Sequence, residues 1–222
     1  MRYKLVIFDL DGTLLDTIND LKEAVNHAMG LRGFPIFTRD EVMAMVGHGA
    51  RNLMRQSLPI GHKDDMVDAA YNDFRDYYIT HIDIHTKPFA GIQDLLAKLH
   101  QEGVMLAVAS NKFQEGTEHL IKEFFPEIPF VAVLGGRPDS PLKPDPEIVN
   151  EVLRMAGIEK EYAVMVGDSD TDMETAANGG IMCIAVNWGY RNMRDTAFRQ
   201  AQGPQRLIVA NNAEELQQLL LP

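Results

Sequence analysis

Four short polar stretches hold the residues that could do chemistry. Asp9-Leu10-Asp11-Gly12-Thr13 sets two carboxylates two residues apart. Ser110-Asn111-Lys112 offers a hydroxyl, an amide and an amine, and Lys143 precedes Pro144-Asp145-Pro146. Gly167-Asp168-Ser169-Asp170-Thr171-Asp172 carries three acids. Acids, a hydroxyl and lysines together suit a divalent cation beside a phosphate group. Magnesium wants octahedral oxygen ligands, commonly one or two carboxylates plus substrate phosphate.

The chemistry needs these stretches in one place, and the elements between them supply a way. Lys4–Phe8 is short, apolar and β-prone, and predicts a buried strand that ends at Asp9. From Lys87 onward strands and helices alternate. Helices are expected over 91–101, 114–124, 145–156, 172–178 and 213–220. Strands are expected over 104–109, 130–134, 162–166, 181–186 and 207–209. Pro146 suits the first turn of its helix. Alternation with nearly continuous apolar strands predicts an α/β fold, a doubly wound parallel sheet covered on both faces. Ligands on such sheets bind at the carboxyl ends of strands. Three of the four polar stretches fall at those ends, and the Lys143 loop can reach the same rim.

Residues 16–86 read differently. Leu21, Ala24, Val25, Ala28 and Met29 recur at helical spacing. Thr38-Arg39-Asp40-Glu41 is a capping-box pattern opening a helix through Val42, Met45 and Val46. A further helix fits 64–79, with Met66, Val67, Ala70, Phe74 and Tyr77 inward. The expected organisation is therefore a discontinuous core, 1–15 and 87–222, with a small all-helical domain, 16–86, inserted after the first strand. Linkers would lie near Leu15-Asp16 and Thr86-Pro88.

Composition narrows the function classes. Hydrophobic residues make up 45% and charged residues 24% of 222 residues, with a formal net charge of -11. An acidic surface argues against nucleic acid, whose backbone demands clustered Lys and Arg. It is compatible with a small phosphorylated metabolite, because a local field can oppose the net one. The single cysteine, Cys183, lies in an apolar run and cannot form an internal disulfide. No membrane span or secretion signal is legible, so a cytoplasmic protein, monomer or homodimer, is expected.

The four stretches, in this order and spacing, resemble the haloacid dehalogenase-like phosphatases, and the resemblance covers essentially the whole chain. Asp9-Leu10-Asp11-Gly12-Thr13 is similar to that family's DxDGT signature; Ser110, Lys143 and Asp168 to Asp172 match the second, third and fourth motifs. The resemblance implies a Rossmann-like core and Mg2+ as cofactor. Asp9 would be the nucleophile that carries a transient aspartyl-phosphate. Asp11 would protonate the leaving oxygen, then activate the hydrolytic water. Ser110 would hold phosphoryl oxygens and Lys143 would offset charge. Asp9, Asp168 and Asp172 would serve the metal, as would Asp11 through its backbone carbonyl. Thr13, Asn111 and Lys112 are expected to contact substrate. Asp170 is read as a helix N-cap or surface residue.

The helical insertion resembles the family's type C1 cap. Val46-Gly47-His48-Gly49-Ala50-Arg51 looks like the cap loop of phosphoglycolate phosphatases, which implies substrate contacts from His48 and Arg51. Leu134-Gly135-Gly136 and Trp188-Gly189-Tyr190 are similar to the same subfamily. Arg137, where relatives often carry an acid, and Asn178-Gly179-Gly180 depart from the usual pattern. Inorganic pyrophosphatase, sugar-phosphate phosphatase or phosphoglucomutase chemistry, and a silent phosphate binder, stay open. Asp11 argues against dehalogenation, and neither Lys22 nor Lys63 has the context of a phosphonatase Schiff-base lysine.

Overall fold

The computed structural model describes residues 3–193 and 208–221. β1 (Leu5–Phe8) is buried on both sides. The chain then makes β2 (Leu15–Asp16) and four helices, α1 (Ile18–Gly30), α2 (Arg39–Met45), α3 (Ala50–Ser57) and α4 (Asp64–Tyr78). It returns through β3 (Lys87–Pro88), which pairs antiparallel with β2. Alternation follows: α5 (Ile92–Gln101), β4 (Met105–Phe113), α6 (Gln114–Phe124), β5 (Phe130–Gly136) and α7 (Glu147–Ala156). A 3-10 turn, 160–162, leads to β6 (Ala163–Gly167), α8 (Asp170–Gly179) and β7 (Met182–Val186). The described chain closes with β8 (Ile208–Ala210) and α9 (Ala213–Leu220). Leu207, expected in the last strand, lies outside the described residues.

The six long-range strands are parallel, in the order β5-β4-β1-β6-β7-β8. β1 is central because all four of its residues can be buried. Val6 and Phe8 join the apolar cluster with α5, α6 and α9, while Leu5 and Ile7 face α7 and α8. From β4 the chain winds to one edge and from β6 to the other, so β1 marks the switch point where ligands of such sheets bind.

The helical segment shares its core with one sheet face. Leu21, Ala24, Val25, Ala28 and Met29 are buried as expected. The capping box of α2 is formed: Thr38 N–H donates to Glu41 Oε2 at 2.8 Å, and Glu41 N–H donates to Thr38 Oγ1 at 3.3 Å. On α4 the inward row is Val67, Ala70, Phe74 and Tyr78. Met66 is 38% exposed, and Tyr77 lies on the flank, stacked between His27 and His81. The row keeps steps of three and four residues, which Tyr78 continues from Phe74. Asp20, buried in the first turn of α1, accepts from His85 N at 2.9 Å and from Thr86 N at 2.8 Å. It thereby ties the segment's exit to its entry. No described helix is long and apolar enough to cross a membrane.

Candidate active site

Register puts the first aspartate between the other motifs. Phe8 pairs with Val108 on one side and Val166 on the other, and Asp9 N–H donates to Val166 O at 2.9 Å. Asp9 is thus level with the polar ends of β4 and β6. Lys143 enters from its loop and is 4% exposed. Its Nζ donates to Asp9 Oδ1 at 2.8 Å, Asp172 Oδ1 at 2.6 Å and Ala109 O at 2.9 Å. Asn111 holds that loop as a strand partner would. Its Oδ1 accepts from Lys143 N at 2.8 Å and its Nδ2 donates to Lys143 O at 3.0 Å.

Asp172 closes the start of α8. The N-cap is Ser169, not Asp170, because the Ser169 hydroxyl accepts from Asp172 N while Ser169 N–H and Oγ–H reach Asp172 Oδ2. Asp168 accepts from Tyr190 N at 2.6 Å and from Thr13 Oγ1 at 3.4 Å. Gly12, with φ +87°, passes so close to the Asp168 carboxylate that a Cβ there would overlap it.

One oxygen each from Asp9, Asp168 and Asp172 falls within 4.8 Å of the others. Burial, then the charge of Asp172, pushes Asp9 up to about 7 despite Lys143. Burial, then Asp9 and Asp172, holds Asp168 well above the usual carboxylate range. For Lys143, burial alone would push the ammonium down, but Asp172 and Asp9 outweigh it and hold it above its ordinary value. Three buried carboxylates against one ammonium leave an excess of negative charge, and every ligand atom is a hard oxygen. This donor set fits a metal ion, and the excess charge is one that a cation would relieve.

The Asp11 carboxylate turns away from that group. Thr17 Oγ1 donates to its Oδ1 at 2.6 Å, and Lys112 Nζ donates to Oδ1 at 3.0 Å and Oδ2 at 3.3 Å. Between the strand ends and the helical segment lies a cavity of about 60 Å³, bordered by Asp9, Asp11, Ser110, Asn111, Lys112 and Lys143 among others. Thr13 is buried against Asp168 and is not among the cavity's walls. His48 is exposed and meets Thr171 Oγ1 at 3.4 Å, while the glycines on either side of it border the cavity. Arg51 stands outside, paired with Asp68 at 2.7 Å, and borders a neighbouring cleft of about 760 Å³ instead.

A profile described as haloacid dehalogenase-like hydrolase matches residues 6–186. The chain belongs to the haloacid dehalogenase-like hydrolases. It is 32% identical over 202 residues to the phosphoglycolate phosphatase of Mesorhizobium japonicum, covering 88% of each chain. It is 36% identical over 201 residues to phosphoglycolate phosphatase 1 of Pseudomonas aeruginosa, covering 87% of this chain and 73% of that one. A solved protein from Lactobacillus delbrueckii subsp. bulgaricus superimposes with a TM-score of 0.87 at 34% identity, covering 100% of this chain and 99% of that chain.

Within this hydrolase core the departures from the family pattern have structural uses. Arg137 pairs with Glu151 of α7. Asn178 Nδ2 donates to Pro144 O at 2.9 Å and so steadies the Lys143 loop. Several cavity residues carried no sequence signal. Tyr78 and Arg191 reach it from opposite sides of the seam. Arg191 donates to Met43 O at 2.6 Å, Ala44 O at 3.1 Å and Val46 O at 2.8 Å, gripping the end of α2. Tyr190 entered only through the likeness of Trp188-Gly189-Tyr190 to the phosphoglycolate phosphatases. Its hydroxyl accepts from Thr17 N at 2.8 Å.

Proposed function

We propose that this hydrolase is a Mg2+-dependent phosphatase that cleaves a small phosphate monoester, phosphoglycolate foremost, through an aspartyl-phosphate on Asp9. The observation that carries the reading is Lys143 bonded to Asp9 and Asp172 at once, with Asp168 in the same group. Asp9 and Asp168, supported by Asp172 and the Asp11 backbone carbonyl, would hold the metal. When bound it supplies positive charge for the phosphoryl oxygens.

The residues divide the work. The Asp9 carboxylate attacks phosphorus as the ester P–O bond breaks, and the Asp11 carboxyl gives its proton to the departing alkoxide. A water then attacks the aspartyl-phosphate while Asp11 takes that water's proton, which frees Asp9 and phosphate. Lys143 offsets repulsion between the Asp9 anion and the phosphate. Ser110 and adjacent backbone N–H groups bind phosphoryl oxygens. The helical segment, 16–86, acts as a cap that excludes water from the leaving-group side.

Cavity size supports a small substrate. The cavity beside Asp9 is small, about 60 Å³. The relatives named phosphoglycolate phosphatase support the same choice. The test is phosphate release with Mg2+ from a panel of phosphoglycolate, pyrophosphate, sugar phosphates and p-nitrophenyl phosphate. Asp9→Asn is expected to abolish release, and Asp11→Asn to lower turnover by roughly 10²–10⁴-fold. Full turnover in Asp11→Asn would refute its assigned role. An inert wild type across the panel would favour a silent binder.

A further inference from the structure

We propose that Lys112 and Tyr78 are positioning residues for Asp11, fixing which of its two oxygens exchanges the proton. The inference rests on the acid–base role assigned to Asp11 above. Sequence reading expected Lys112 to contact substrate. It borders the cavity, and its side chain is 3% exposed, less than that of Asp11 at 13%. A buried ammonium needs partners, and Lys112 has two. One is the Asp11 carboxylate. The other is Tyr78, whose hydroxyl accepts from Lys112 Nζ at 2.7 Å and whose ring centroid lies 4.6 Å from the same nitrogen. Tyr78 is itself fully buried and stands edge-on to Phe113, so its position is fixed by packing.

Two donors converge on one Asp11 oxygen. Thr17 Oγ1 lies 2.6 Å and Lys112 Nζ 3.0 Å from Oδ1, whereas Oδ2 has only the longer 3.3 Å approach of Lys112. Oδ1 is therefore the anchored oxygen, and Oδ2 is left to carry the proton. The anchor is built from both sides of the seam. Lys112 belongs to β4, Tyr78 to α4 and Thr17 to the residue before α1. The acid–base group is thus oriented only where the helical segment and the strand end are together. Neither Lys112 nor Tyr78 need touch the reacting atoms for this effect.

A double-mutant cycle tests it, read as single-turnover phosphate release from phosphoglycolate with Mg2+. Misplacing a catalytic group by about 1 Å can cost ~10²-fold, and Lys112→Met is expected to lose about that much. In an Asp11→Asn background the same change is expected to cost almost nothing further, because there is no carboxylate left to orient. Losses that multiply would overturn the proposal and leave Lys112 a purely structural or substrate residue. Undiminished activity in Asp11→Asn alone would instead strike the underlying acid–base reading, and the inference with it. Should Lys112→Met fail to fold, Tyr78→Phe removes one hydroxyl while keeping the ring, and carries the same cycle with a smaller first loss.

Discussion

Replacing Asp9 by Asn should make the metal-free protein more stable while abolishing turnover. The reason is the charge balance around Lys143. Asp9 is buried beside Asp172 and Asp168, and its carboxyl sits at about 7 rather than 3.8. A raised acid favours the folded state below its unfolded pKa. That contribution is lost as pH climbs through the window from about 4 to about 7. The shift spans about 3 units, and at 1.36 kcal/mol per unit ionised Asp9 costs the fold about 4 kcal/mol at pH 8. Asn carries no charge yet keeps an oxygen to accept from Lys143. For a chain of this length one kcal/mol moves Tm by roughly 2–4 °C, so a gain of about 8–16 °C is the ceiling. The assay is thermal unfolding in EDTA across pH 4–8, wild type against Asp9→Asn. The gain should be absent near pH 4, where Asp9 is protonated in the folded protein, and should grow to a plateau above pH 7. Added Mg2+ should then raise wild type more than the variant, because Asp9 is proposed to hold the metal. A variant no more stable than wild type at pH 8, or a gain that ignores pH, would refute the reasoning.

Gly12→Ala should be disproportionately harmful for one methyl group. The residue sits at φ +87°, and the new Cβ would overlap the Asp168 carboxylate. The backbone term alone costs roughly 1–2 kcal/mol, and Mg2+ affinity by titration calorimetry should fall with it because Asp168, a proposed ligand, is displaced. Arg51→Ala should change KM for phosphoglycolate by no more than about twofold. Its guanidinium spends itself on Asp68 in an exposed pair that solvent screens, and it stands outside the cavity beside Asp9. A tenfold rise in KM would return Arg51 to the substrate site.

Much of this was legible in the sequence because burial and chemistry leave different marks. Leu5-Val6-Ile7-Phe8 had to be a central strand, since four consecutive apolar residues leave no polar face. Three of the four polar stretches could be joined because parallel topology collects strand ends, and the Lys143 loop had only to reach the same rim. Boundaries were less clear. β4 continues through Ser110, Asn111 and Lys112 to Phe113, which polarity had suggested was loop. The reason is that Asn111 spends its amide on Lys143, and Lys112 its ammonium on Asp11 and Tyr78. Those partners lie 32 to 101 positions away, beyond the reach of local pattern. The same distance effect hid the pairing of Arg51 with Asp68, 17 positions away across the helices. Asp170 was read as an N-cap or surface residue, but the cap is Ser169, because its hydroxyl reaches Asp172 N.

The strand that leads into Asp9 is made before the strands that flank it and is completed late. Leu5 pairs with Met105 on one side and Ala163 on the other. At 5–20 residues per second, roughly 5–20 s of synthesis separate β1 from the first strand that can cover its edge. The helices that follow, α1 to α4, pack chiefly on one another and can collapse within that interval. On the ribosome, the helical segment can therefore be assembled before the strand ends that complete the site are made. An apolar N-terminal ribbon waits meanwhile for its partners, and that interval is where a chaperone would have most to do.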